Sequence, residues 1–449
     1  MLPKVVDLFS GCGGLALGFQ KAGFDIASGI ELMPEAVKTI NYNLSYRYDK
    51  EAKHICGDIT QMNPDSIKIN IGQEGCIVIG GPPCQAYSIA GRGKLRSLGE
   101  DRIHTKDARG YLYQDYLRFI YGLDARAVVM ENVPESTNFG EKNIPEEVSE
   151  SLKEHGYSVF WTVLNAANYG VPQLRERVIL MGIKKNEGRS IELPMPTNIN
   201  RLDTVGNYGN RIHNFEQCKY YCMPPMPIGN EPQWVTVGDA FSDLPVLFPT
   251  ADSKYKPISL NIEYQYKSDP RNEYQIIMRN WFGEPTMAVS GNSFRKNSRD
   301  FQIFERMEQG DNYIRASEIA DQLFEEALEL YQFEFGTNEY EKLHKSIVPV
   351  YDRNSFESKW RKLDEDKPSH TLVAHLAKDT YSHIHPTEPR GISVREAARL
   401  QSFPDDFYFD CGMSDAYKQI GNAVPPLFAY AIAKAVKKAF EEEENGIIE

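Results

Sequence analysis

Over residues 1–185, short apolar runs alternate with stretches of helical spacing. KVVDLF (4–9), DIASGI (25–30), CIVIGG (76–81), AVVMENV (127–133), YSVFWTVL (157–164) and RVILMGI (177–183) read as strands. Between them, GLALGFQKAG (14–23), YLYQDYLRFIYGL (111–123) and PEEVSESLKEHG (145–156) read as helices. Such alternation predicts crossover connections and a doubly wound, mainly parallel sheet, so the fold class is α/β.

The texture then changes. Residues 186–365 carry proline and asparagine clusters, such as PMPTNINRL and CMPPMPIGNEPQW, and three of the four tryptophans. This predicts a separate, irregular domain. Inside it, IRASEIADQLFEEALELYQF (314–333) has helical spacing and many acids, the pattern of a solvated helix face. Helix signals return after 366, in SVREAARLQSF (393–403) and in PPLFAYAIAKAVKKAFEEEE (425–444), where prolines suit a helix start.

With 449 residues, the chain exceeds one ordinary core. No apolar run approaches the roughly 18 residues of a membrane span, and MLPKVVDLFSG lacks the basic region and apolar stretch of a secretory signal. A soluble, cytoplasmic protein is expected. Seven cysteines, an odd number in a long chain, argue for reduced thiols. Cys218 and Cys222, with His213 upstream, make half a zinc site at most, and no metal is expected. The net charge of −13 disfavours indiscriminate binding to nucleic acid and turns attention to local basic segments.

The glycines of DLFSGCGGLALGF follow the first strand directly, and Gly11, Gly13 and Ala16 fit a dinucleotide fingerprint in its alanine form. Glu31 stands twenty residues after Gly11, at the end of the second strand, where a carboxylate can bind ribose hydroxyls. Asp58, after the short run HIC (54–56), is placed to accept an adenine amino hydrogen, and Phe9 to pack on the ring. The competing reading is a tight strand-to-helix turn with surface acids and a core phenylalanine.

GGPPCQAYS sets Cys84 after two prolines, at the carboxyl end of a strand. Pro82 and Pro83 hold φ near −65° and remove two N–H groups, so they fix the direction in which Cys84 leaves the sheet. A thiol near its ordinary pKa is only a few per cent ionised at neutral pH, so a nucleophilic role needs a tuned setting. Glu131, after AVVM, reaches the same rim as a candidate proton donor. Gln173, Arg175 and Arg177 alternate in PQLRERVILM, and in an extended segment they face one side, suited to an anion or a carbonyl.

These segments together resemble the motifs of DNA cytosine-5 methyltransferases of the bacterial restriction-modification type. DLFSGCGG, GDI, GGPPCQAYS, MENV, QLRER, VREAARLQSFPDDF and QIGNAVPP occur in that family's order and approximate spacing, covering 1–185 and about 366–440. The resemblance implies the S-adenosylmethionine-dependent methyltransferase fold in 1–185, a target-recognition domain in 186–365 and a C-terminal segment, 366–449, returning to the catalytic domain. It implies a cofactor site of Phe9, Gly11, Gly13, Glu31, Leu32, Asp58, Ile59 and Pro83, closed by Asn422 and Val424. Leu32 replaces an aromatic residue of other members, which touches only an apolar cofactor contact.

By the same resemblance, Cys84 adds to C6 of a flipped-out cytosine, Glu131 serves N3, Arg177 holds O2, and Arg175 contacts a phosphate or braces the loop. Residues 91–110 carry six basic residues against three acids. Gln85, Ser88, Arg92, Lys94 and Arg109 are therefore expected to meet DNA as part of a closing loop. Arg295, Lys296, Arg299, Lys359, Arg361 and Lys362 are candidates for the far side of a cleft. The implied partner is double-stranded DNA, with a functionally paired restriction endonuclease and a monomeric enzyme. A transfer-RNA cytosine-5 methyltransferase is the nearest rival reading, and a nicotinamide-dependent dehydrogenase a distant one that leaves PPCQ and QLRER without a task.

Overall fold

The computed structural model describes residues 2–68, 70–83, 111–139, 142–200, 207–247, 259–295, 298–350, 359–377 and 381–441. Two compact units emerge from its contacts, residues 1–234 with 423–449, and residues 235–422. The expected division had fallen at 185 and 365.

In the first unit seven strands form one sheet: β1 (Lys4–Leu8), β2 (Ile26–Glu31), β3 (His54–Cys56), β4 (Cys76–Gly80), β5 (Ala127–Asn132), β6 (Tyr157–Asn165) and β7 (Glu176–Lys184). Their order is β3-β2-β1-β4-β5-β7-β6. β1 to β5 are parallel, while β7 lies antiparallel to both β5 and β6. Only residues 166–175 join β6 to β7, too few for a parallel crossover of a dozen or more, so β7 must turn back. The central strands are almost wholly buried, as expected for parallel strands covered on both faces.

α1 (Gly14–Lys21), α2 (Pro34–Leu44), α3 (Leu112–Gly122) and α4 (Ile144–Glu154) supply the covering layers. Of these, α2 is absent from the elements read in the sequence, although Pro34 at its first position is a helix-start signal. The C-terminal helix, Pro426–Glu441, packs directly on α1. A Cβ on Gly18 would lie 2.4 Å from Ala429 Cβ, so only glycine permits this approach.

Residues 186–234 join the first unit because β6 is the outer strand and its unpaired amide groups need a partner. Trp161 N donates to Tyr220 O (2.9 Å) and Cys222 N to Trp161 O (2.8 Å). On α4, Glu146 accepts from Lys219 N, Tyr220 N and Trp161 Nε1. His213, considered above as a metal ligand, pairs instead with Glu216 at 2.5 Å.

Among the described residues of the second unit, short helices alternate with irregular chain, and the strands are two-residue pieces, Tyr264–Gln265 and Ala288–Val289. Its acid-rich helix, Tyr313–Tyr331, is amphipathic: Tyr313, Ala316, Ile319, Ala320 and Leu323 enter a core with Phe304 and Trp360. A second centre is ionic. Asp243 and Asp405 are completely buried and held by Arg399, with Arg279 also on Asp243. Lys362, a candidate for DNA contact, is buried and donates from Nζ to Phe304 O and Met307 O, satisfying carbonyls at a helix end. Arg299 is paired with buried Asp300 at 2.5 Å, and Lys296 lies outside the described residues.

His370 and His383 stack at 3.9 Å in this unit. Burial, then the charge of Arg361, pushes His370 down to about 4, and burial holds His383 well below its usual range. In the unfolded chain both protonate near their ordinary value, whereas the folded chain resists. Stability should therefore fall as pH drops from about 6.5 towards 4, by about 1.4 kcal/mol per pH unit for each histidine at full effect. Urea midpoints measured across that range should show the decline, and His370→Phe should remove about half of it, leaving the share of His383.

Candidate active site and family

The parallel register brings Leu8, Glu31, Cys56, Gly80 and Asn132 to one edge of the sheet. Ligands of open α/β sheets sit at this carboxyl edge. Beyond β1 the chain passes through Phe9 at φ 58° and Gly11 at φ 54°, both left-handed, before α1 begins after Gly13. Among the described residues, and apart from its chain neighbours, no atom lies within 4 Å of where a Cβ on Gly11 would project, so the loop leaves an open cradle there.

Gly11 N donates to Glu31 Oε2 and Met33 N to Oε1, both at 2.8 Å. The carboxylate is thus anchored at both oxygens and keeps lone pairs for hydroxyl donors. Leu32 beside it is 62% exposed, an apolar surface on the rim. Asp58 is exposed, with Oδ1 accepting from Thr60 N (3.0 Å) and Thr60 Oγ1 (2.8 Å). Ile59, next to Asp58, packs its side chain in the core, and its carbonyl accepts from Arg118 Nη2 at 2.6 Å.

The C-terminal segment reaches this region at Val424. A Cβ on Gly14 would stand 2.2 Å from Val424 O, so the helix start and the segment touch backbone to backbone. Asn422 is exposed and ends a helix of the second unit, Met413–Asn422. Asp7 was not singled out in the sequence, although an acid inside an apolar run was a signal. Burial first, then the Glu31 charge, pushes its carboxyl well above the usual range. Anchored ribose-type acceptor, open glycine cradle, apolar rim and second carboxylate fit an adenosine-bearing cofactor.

Across the edge, β5 carries Glu131 and β7 carries Arg177. Arg177 Nε lies 2.7 Å from Glu131 Oε1, with the two side chains only 10% and 12% exposed. The contact is an ion pair without an aligned Nε hydrogen bond, while Arg177 Nη1 donates to Glu176 O at 2.6 Å. Gln173, Arg175 and Arg177 are all buried, and Leu174 is exposed, so the alternation expected of an extended segment is present. Arg175, however, is too deep to reach a phosphate; its Nη2 donates to Ala423 O at 3.0 Å, bracing the returning C-terminal segment. Pro83 is half-buried at the exit of β4. Cys84, Gln85, Ser88, Arg92, Lys94 and Arg109 lie outside the described residues.

Comparison with known proteins agrees along the whole length. A family model described as C-5 cytosine-specific DNA methylase matches residues 3–438. A protein of Oceanobacillus iheyensis named as a type II methyltransferase, M.OihORF3336P, is 52% identical over 445 residues, covering 97% of this chain and 96% of its own. The type II methyltransferase M.AgeI of Thalassovita gelatinovora is 30% identical, with 97% and 99% coverage. Among solved structures, a prophage-encoded DNA modification methyltransferase of E. coli shares the fold, with a TM-score of 0.65, 23% identity, and coverage of 98% and 99%. The chain therefore belongs to the C-5 cytosine-specific DNA methylase family and is a DNA methyltransferase acting at C5 of cytosine.

Proposed function

We propose that Cys84 is the nucleophile of this reaction, Glu131 the proton donor to N3 and Arg177 the ligand of O2, acting on a cytosine extruded from duplex DNA. The observation that supports the reading best is the nearly buried Glu131–Arg177 pair beside the exit of β4. An acid and a fixed cation there match the two atoms of the base that gain negative charge when C6 is attacked. Cys84 Sγ, as thiolate, forms a bond to C6, and the C5=C6 electron pair moves to make C5 nucleophilic. Glu131, after taking up a proton from solvent, hydrogen-bonds or protonates N3, and the Arg177 guanidinium holds O2 in place. C5 then accepts the methyl group. Loss of the C5 proton to solvent, return of any N3 proton to Glu131 and breakage of the S–C6 bond restore aromaticity and the free thiolate.

S-adenosylmethionine supplies an electrophilic methyl group when bound. Phe9, Gly11, Gly13, Glu31, Leu32, Asp58, Pro83 and Val424 would hold it, Glu31 at the ribose and Asp58 at the adenine amino group. Arg175 positions the C-terminal segment. Gln85, Ser88, Arg92, Lys94 and Arg109 would meet the DNA after flipping, and the second unit would read the target sequence. The names of the type II relatives favour a functional pairing with a restriction endonuclease. None of the described helices is long and apolar enough to cross a membrane.

With tritium on the donor methyl group, label should enter duplex DNA and not transfer RNA. Label in transfer RNA alone would overturn the polymer assignment. Sequencing of the methylated DNA should return one short target.

A further inference from the structure

The β4–β5 ladder ends at Gly80↔Met130, yet the chain must still aim a nucleophile four residues beyond Gly80. Glu131 and Asn132 continue along β7, pairing with Ile179 and Val178. Across the other side, Asn132 Nδ2 donates to Pro82 O at 3.3 Å, a buried bond between residues 50 apart. Asn132 is 2% exposed, and its Oδ1 accepts from Val133 N at 2.9 Å. The local bond fixes which end of the amide carries the oxygen, so the N–H end must face Pro82.

Pro82 and Pro83 have no N–H, which leaves carbonyls as the handles by which a neighbouring strand can hold this dipeptide. Gly81, one residue earlier, completes the fit. A Cβ there would stand 3.0 Å from Glu131 Oε2, so the proton donor rests against the backbone that leads to the nucleophile.

From this geometry, and resting on the reading above, we propose that Asn132 is a positioning residue. Its amide holds the Pro82 carbonyl, and thereby the backbone two residues before Cys84, in register with Glu131. Its hydrogen bond is a modest contributor to stability, whereas a misplacement of about 1 Å at the reacting atom can lower a rate about 100-fold. Asn132→Asp keeps shape and the acceptor for Val133 N, but sets an oxygen against the Pro82 carbonyl.

Single-turnover formation of the covalent adduct with duplex DNA containing 5-fluorocytosine, at saturating DNA and S-adenosylmethionine, separates the possibilities. The Asn132→Asp protein should form the adduct with a rate constant about 10- to 100-fold lower, at unchanged amplitude and with both dissociation constants within about threefold of the parent. A purely structural role would lower the amplitude, through the fraction of folded enzyme, and leave the rate constant alone; that result overturns the proposal, as does an unchanged rate. If Asn132→Asp does not fold, Asn132→Ala is scored by the same criterion. Failure of the parent enzyme to form an adduct at Cys84 would instead refute the nucleophile assignment itself, so the two failures are distinguishable.

Discussion

Replacing Cys84 with serine should reduce methyl transfer to duplex DNA by about four orders of magnitude or more, because a hydroxyl at neutral pH supplies almost no anion. Binding of DNA and of S-adenosylmethionine should change little, since neither depends on the bond to C6. The 5-fluorocytosine adduct should vanish with the thiol: fluorine at C5 blocks proton loss and traps the enzyme only after sulfur has attacked. The other cysteines supply the contrast. Cys76 sits inside β4, where burial pushes its thiol to about 12, and burial also raises Cys218 and Cys222. Cys12 is 1% exposed beneath the glycine turn. Cys56 is exposed on the same rim, with its Sγ 3.7 Å from Leu32 O, so it is the sharpest control. Peptide mapping of the adduct to Cys56 or Cys12 would remove Cys84 from the mechanism.

The second large effect is expected at Arg177. Arg177→Ala leaves the nearly buried Glu131 carboxylate without its cation, and breaking such a pair should destabilise the first unit by about 3 kcal/mol. It should also lower activity by about 100-fold or more, through loss of the O2 contact and a looser Glu131. Glu131→Gln alone should reduce the rate about 100- to 10,000-fold as proton donation is lost. The double variant separates the two roles. Without either charge, denaturant midpoints should recover much of the lost stability, since no ion is left unpaired. Activity should stay low. Recovery of methylation together with stability would mean that the pair only supports the fold, and the catalytic assignments would fail.

Much of the first unit was legible because parallel strands and their covering helices write themselves into local pattern. The runs at 4–9, 76–81 and 127–133 became β1, β4 and β5, and the helices read at 14–23, 111–123 and 145–156 became α1, α3 and α4. The strand-end placement of the candidates Glu31, Pro83 and Glu131 was legible for a related reason: glycine, carboxylate and proline at fixed offsets from strand ends are tied to short-range backbone geometry. Lys362 was not. It was read as lining a DNA cleft, but helix-end carbonyls claim its ammonium group. Residue type alone does not say which competitor wins.

The sequence by itself thus determined the chemistry, since thiol, acid, arginines and cofactor carboxylate stand in an order that few other functions would need. Tertiary structure decided who holds whom. Glu131 meets Arg177 because β7 turns back between β5 and β6, and Arg175 is held in the interior because the C-terminal segment returns to offer it the Ala423 carbonyl. Residues 186–234 join the first unit because an outer strand has unpaired amides to satisfy. These contacts bridge dozens to hundreds of residues, and a contact at that range leaves no periodicity in the chain from which to read it.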